Sequence, residues 1–200
     1  MRRISLFAED SGHEAVLVPL IIRVAEQYRV EVKVRPVSVR GGFPRVAAEL
    51  DQYVKELLRF REALPDLVVV ATDANCDGFG RRREQLVEPA KPIVDHVAYA
   101  VPDPHIERWL LRDPAAFKAV LGVPCDPPDQ KCERDRYKKL LIQAVCAAGA
   151  TPLLGGLEYA EDIVGHMDLG PTTWNDDFGD FLQQLHARFR LWTNAEGDDP

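Results

Sequence analysis

Two groups of acidic residues stand where short apolar runs end. Leu67 to Ala71 is an unbroken, largely β-branched apolar run that gives way at Thr72 to Asp73, Asn75 and Asp77, interleaved with Ala74 and Cys76 and closed by Gly78. Ile4 to Ala8 is a second short, mostly apolar run, and it ends in Glu9 and Asp10, then Ser11 and Gly12. Runs of this length cannot span a bilayer and suit buried strands. Oxygen ligands that leave the ends of parallel strands open onto the crevice where α/β sheets keep their sites. If the two strands are neighbours, Glu9 and Asp73 share one rim.

The chemistry such a rim offers is that of a hard cation. Magnesium takes oxygen ligands and keeps several waters, so one or two carboxylates and a phosphate suffice. Glu9, Asp73 and Asp77, with Asn75 as a neutral oxygen donor, would hold one or two Mg²⁺ or Mn²⁺ ions that activate water and offset charge on a phosphodiester. One unit-charge pair at about 4 Å and an effective dielectric near 20 is worth roughly 4 kcal/mol before desolvation. An amide at position 75 in place of a carboxylate therefore weakens metal affinity or shifts the load to Asp77.

The same residue types have plainer uses. Asp and Asn after a strand make turns and cap helices, and Asp77 before Gly78 is an ordinary turn signal. Glu14 reads as a capping residue three positions after Ser11, and Glu107 as a carboxylate favoured at a helix N-terminus. Arg81, Arg82 and Arg83 fall on different helix faces, so at most two of them, taken as Arg81 and Arg82, can address one phosphate. Cys76, set among carboxylates, is a poor nucleophile because its thiolate is disfavoured. The histidines are not spaced as ligands and receive no role.

The elements that must position these residues alternate. Ser11 and Glu14 stand at capping-box spacing in front of the apolar stretch Ala15 to Gln27, which reads as a helix in conflict with Pro19 and predicts a kink or a start nearer Leu17. Val30 to Val39 has a period of two and an interior Pro36, the mark of an edge or a bulge. Val46, Leu50, Tyr53, Val54, Leu57 and Leu58 recur at helical spacing. Phe79 to Glu88 is helical before Pro89, and His96 to Val101 is a fourth short strand, followed by Glu107 at the start of another helix. Strand and helix in alternation predict an α/β fold, a mostly parallel sheet with helices on both faces. Past Gly122 the pattern changes: Cys125 to Asp135 reads as a polar loop, and helices follow over Tyr137–Ala148, Leu157–Met167 and Trp174–Trp192. The division expected is an α/β core over residues 1–122 and a helical C-terminal cap over 123–200, with a frayed tail.

The composition suits a globular chain of 200 residues, 46% hydrophobic and 28% charged. A net charge of −7 argues against general coating of duplex nucleic acid, though not against a nuclease whose acidic centre is screened by metal. The four cysteines have neither CxxC spacing nor histidines at metal-site intervals, so no zinc knuckle or disulfide framework is indicated. With no signal sequence and no bilayer-spanning run, the expected setting is the cytoplasm, with no membrane contact and the oligomeric state open.

A glutamate ending the first strand, Glu9 in LFAEDSGHE, followed far downstream by the acidic cluster of VVATDANCDG, resembles the Toprim domain. The stretch PDPHIERWLLRDPAAF is similar to a segment of small bacterial Toprim-like proteins related to the RloB and OLD nuclease groups, and fainter similarity continues at ERDRYKKLL and DDFGDFLQQL. The resemblance implies a Toprim-like, Rossmann-like fold and a metal-dependent phosphodiesterase. Glu9 would match the family's general acid/base or metal-binding glutamate, Asp73 and Asn75 its paired aspartates, and Glu107 an additional acidic position. It further implies phage defence beside an ABC- or AAA-type ATPase, with DNA or tRNA as the nucleic acid cut. The departure is Asn75, where the family pattern has aspartate. Two alternatives accompany this reading: a non-catalytic regulatory or nucleotide-sensing subunit that docks an ATPase, and a phosphoacceptor receiver domain, which is ranked last because no lysine follows the strand near Val101.

Overall fold

A computed structural model describes residues 1–39, 41–60, 64–75, 77–126 and 135–197. Most of the loop expected over Cys125–Asp135, the thiol of Cys76 and the last three residues lie outside that set.

The strands β1 (Arg2–Ala8), β2 (Val32–Ser38), β3 (Leu67–Ala71) and β4 (Val97–Ala100) form one sheet in the order β2-β1-β3-β4, every pair parallel. The fold is α/β and Rossmann-like. β3 is buried along its whole length, as its unbroken apolar run requires of a strand covered on both faces. β2 lies at the edge, which is why Pro36 is tolerated: it pairs with Leu6 in unbroken register and no bulge forms.

From β1 the chain runs outward to β2 and then crosses back to β3 and β4, so its direction reverses between β1 and β3. Right-handed crossovers in opposite directions put the connecting helices on opposite faces. On one face lie α1 (Ser11–Gln27) and α8 (Asp177–Gly197); on the other lie α2 (Phe43–Phe60) and α3 (Phe79–Ala90). The strand residues divide accordingly: Ile4, Leu6 and Val69 meet α1, whereas Phe7, Val68 and Val70 meet α2.

α1 runs through Pro19 as one helix from Ser11 onward. Its cap is Asp10, whose carboxylate accepts from the N–H groups of Gly12 and His13, so the capping function expected of Ser11 belongs to its neighbour. A carboxylate capping a helix adds favourable charge at the dipole's positive end, which a hydroxyl does not. α3 likewise continues through Pro89 to Ala90 before a 3-10 turn over Lys91–His96.

The remaining helices, α4 (Glu107–Leu110), α5 (Pro114–Leu121), α6 (Arg136–Ala147) and α7 (Ala160–His166), pack beyond α1 and join its apolar core. A 3-10 turn at Leu157–Tyr159 precedes α7, and α8 begins at Asp177 rather than Trp174. Among the described residues no helix is long and apolar enough to cross a membrane.

Candidate functional site

Ala8 and Ala71 are paired in register at the ends of the central strands. The next residues of both strands therefore emerge side by side, at the point where the chain direction reverses. Such a switch point is where open α/β sheets bind ligands. Glu9 leans onto the end of β3: its Oε2 accepts from Thr72 Oγ1 at 2.5 Å and from the Asp73 N–H at 3.2 Å. The turn between β2 and α2 passes beside it, since a Cβ on Gly42 would sit 3.6 Å from Glu9 Oε1. Gly42 has φ +78°, a conformation that L side chains rarely adopt.

Asp73 is held from two other directions. Its Oδ1 accepts from the Ile106 N–H at 2.9 Å, and His13 Nε2 lies 3.1 Å from the same oxygen, off the line of a hydrogen bond. The other ring nitrogen of His13, Nδ1, meets Asp10 Oδ1 at 2.9 Å. His13 is thus an imidazole enclosed in the protein, 1% exposed, with one carboxylate at each nitrogen. Burial by itself would push its pKa down. The charge of Asp73, the hydrogen bond to Asp10, the close approach of the Asp73 carboxylate and the charge of Asp10 together more than reverse that, lifting the imidazole to about 10. In return the His13 hydrogen bond holds the Asp10 carboxyl well below the usual carboxylate range.

Glu107 opens α4 directly after Ile106 and is buried. Burial raises its carboxyl, and the nearby charge of Asp73 raises it further, against a backbone hydrogen bond and the pull of Lys138 and His105. A carboxyl raised in this way holds its proton more readily than a free one, the direction a proton donor needs. Glu9, Asp73 and Glu107, three positions far apart in sequence, are linked through Asp73: Glu9 accepts from its N–H, Glu107 feels its charge, and His13 faces its carboxylate.

Asn75 and Asp77 are turned elsewhere. Asn75 sits in the left-handed region at φ 51°, which asparagine tolerates better than most residues, and its Nδ2 folds back onto the Asp73 carbonyl. Asp77 pairs with Arg82 Nη2 at 2.7 Å. Arg82 is itself buried, with its guanidinium 4.0 Å above the Phe43 ring, so it clamps the turn after β3 onto α2. Of the two arginines assigned to phosphate, Arg81 is the one exposed to solvent.

His13 is the residue that spacing did not pick out. The signal was present as a histidine three positions after a capping aspartate, which places its ring back against that carboxylate. Its second partner, Asp73, is 60 positions away and follows only from the pairing of β1 with β3.

The donor set suits a hard cation in one respect. Glu9 Oε1 and Asp73 Oδ2 have no hydrogen-bond partner among the described residues, and two carboxylates with water or phosphate meet magnesium's needs. It does not form a cage made only of protein: among the described residues no three His, Cys, Asp or Glu side chains are arranged to hold a metal. Comparison of the chain with protein-family models, with curated proteins and with solved structures gives no match.

Proposed function

We propose that this protein is a metal-dependent phosphodiesterase of the Toprim type, working at the rim shared by Glu9 and Asp73. The observation that carries the reading is that both residues leave paired strands at the switch point, Glu9 bonded to the Asp73 N–H, and that each keeps one carboxylate oxygen without a hydrogen-bond partner among the described residues. Mg²⁺ or Mn²⁺ held by Glu9 and Asp73 would supply charge compensation and a lowered pKa for water. The chain's own part is to hold the two carboxylates: Thr72 and the Asp73 N–H orient Glu9, while Ile106 and His13 orient Asp73. Glu107, buried and with its pKa raised, is placed to keep or give up a proton. Arg81 offers an exposed cation on the helix that follows the turn. A DNA or tRNA substrate, an ATPase partner and a place in phage defence rest on the motif resemblance.

The test is cleavage of single- and double-stranded DNA and of tRNA by the purified chain with Mg²⁺ or Mn²⁺. Glu9→Gln and Asp73→Ala are expected to lower the metal-dependent rate by at least about 100-fold while far-ultraviolet dichroism is unchanged. Cleavage that survives both substitutions would falsify the assignment.

A second reading has its own observation. The position paired with Asp73 in the family pattern is Asn75, folded onto its own turn, and Asp73 Oδ1 already faces the His13 imidazole. In that reading the rim is a structural ion-pair cluster in a regulatory subunit. Calorimetric titration with Mn²⁺ separates the two: binding abolished by Asp73→Ala supports the phosphodiesterase, and no binding at millimolar Mn²⁺ supports the regulatory subunit.

A further inference from the structure

The described residues cover the α2 side of the sheet only in part. α2 lies over β1 and β3 and α3 reaches β4, whereas the edge strand β2 turns Lys33, Arg35 and Val37 outward on that side. Strand register sets Lys33 beside Arg3, Arg35 beside Ser5 and Val37 beside Phe7. Two cavities of about 320 Å³ each follow this strip and share Ser5, Arg35 and Tyr53. That size lies at the small end of the range for ligand pockets.

The two cavities differ in chemistry. The first adds Arg3 and Lys33 to Arg35, bringing three cations together in a chain of net charge −7. Lys33 and Arg35 make no ion pair or side-chain hydrogen bond among the described residues, and Arg3 gives one guanidinium nitrogen to the Leu64 carbonyl at 3.3 Å. Asp66, which adjoins Arg3, is occupied by Arg2 and by the Arg3 N–H. The second cavity is lined by Glu49, Gln52 and Glu56, whose oxygens accept hydrogen bonds. Arg45 takes one Glu49 oxygen and Gln52 takes one Glu56 oxygen, which leaves acceptor capacity at both carboxylates. Between the two ends stands Tyr53, its ring packed on Phe7 at 4.9 Å and its hydroxyl 3.5 Å from Ser5 Oγ.

We propose that this groove binds a nucleoside monophosphate. The phosphate lies among Arg3, Lys33 and Arg35, where guanidinium and ammonium donors make charge-assisted bonds to its oxygens. The nucleoside runs past the Tyr53 ring, and its sugar hydroxyls and base amino group donate to Glu49, Gln52 and Glu56. The polarity of the groove selects this class. A polynucleotide continuing toward Phe7 would bring its next phosphate against Glu49 and Glu56, a like-charge contact, whereas a single terminal phosphate meets only cations. Neither cavity is lined by Glu9 or Asp73, and the phosphate end is the far one: Arg3 lies six residues before Glu9, which follows the end of the same strand, roughly 20 Å away at 3.3 Å per residue. It does not depend on the function proposed for that rim.

The test is calorimetric titration of adenosine 5′-monophosphate and cytidine 5′-monophosphate into the full chain, beside inorganic phosphate, adenosine and a short single-stranded oligonucleotide. At least one of the monophosphates is expected to bind a single site at least about tenfold more tightly than phosphate or adenosine. A Lys33→Ala/Arg35→Ala double variant, altered at exposed positions and checked for an unchanged melting temperature, should weaken that binding by about tenfold or more. Glu9→Gln should bind as the parent does. The proposal is overturned if neither monophosphate binds at millimolar concentration, or if the double variant binds unchanged. It is equally overturned if Glu9→Gln abolishes binding, or if phosphate or the oligonucleotide binds as tightly as the monophosphate.

Discussion

At the scale of single residues, His13 decides how the rim is charged. Its ring meets Asp10 on one side and Asp73 on the other, so both nitrogens face carboxylates and the doubly protonated ring is favoured. Histidine nuclear magnetic resonance on the metal-free protein should show this ring still protonated well above neutral pH, with a midpoint near 10. Titration of His13 near 6.5 would show that the two aspartates do not act on it as the distances imply. Linkage gives the sign for stability. Because the folded pKa is raised above the unfolded value of 6.5, the contribution is complete below pH 6.5 and is lost as pH rises through about 10. Chemical denaturation of the parent between those values should show a decline that His13→Gln lacks. His13→Ala leaves Asp73 half-buried with one partner removed, a change that costs about 3–5 kcal/mol for a buried pair. Glu9 and Asp73 were legible as rim residues because each follows an apolar run. His13 was not, because its second partner is supplied by a strand far along the chain.

At the scale of elements, the segment between β4 and α4 holds the rim from behind. It accepts from the turn after β3, with the Ala74 N–H bonded to the Pro102 carbonyl and the Asn75 N–H to the Pro104 carbonyl, and it offers the Ile106 N–H to Asp73. What fixes this segment is Asp177, buried at the start of α8. Its oxygens take the Asp103 N–H at 3.0 Å, Arg108 Nη1 at 2.9 Å and Trp109 Nε1 at 2.6 Å. Asp177→Ala removes the shorter of the Arg108 carboxylate contacts, Asp176 remaining at 3.6 Å, and takes the acceptor from the Trp109 indole N–H, and is expected to destabilise the fold by about 3 kcal/mol in urea denaturation. Asp177→Asn, which keeps one acceptor, should lose distinctly less. A change within about 0.5 kcal/mol for the alanine variant would show that α4 is held by packing alone. None of this was legible from periodicity, which placed the start of α8 at Trp174 and gave Asp177 no part. A single buried polar anchor leaves no repeating pattern.

At the scale of the molecule, the C-terminal helices and the sheet share one core. Phe178, Phe181 and Leu185 of α8 belong to the same buried cluster as Leu6, Val69 and Leu20, and Trp109 stacks on Phe181 with ring centroids 5.7 Å apart. Fully burying one such side chain contributes about 1.5–3 kcal/mol, so removing several exceeds the usual net stability of a domain. A fragment ending at Gly122 is accordingly expected not to fold by itself, with poor amide dispersion and no cooperative melting. A cooperative transition in that fragment would show that residues 1–122 are an independent unit. The change of sequence character past Gly122 therefore marks a change from alternating strand and helix to helix alone, and not a break in the core.

What the sequence by itself determined is local. Apolar runs of strand length, helical spacing in Val46 to Leu57, and Pro36 in an alternating run were sufficient for an α/β chain with an edge strand, because each depends only on neighbours a few residues away. That Glu9 and Asp73 would end strands was equally a local property. Tertiary structure decided which of the acidic residues meet. Parallel pairing of β1 with β3 brought Glu9, Asp10, His13 and Asp73 together, and the return of the chain after β4 added Ile106 and Glu107. It also sent Asp77 to Arg82 and left the Lys33 and Arg35 side of β2 uncovered by the described residues. Those outcomes depend on strand order and on the side taken by each crossover, and no spacing within a single segment encodes either.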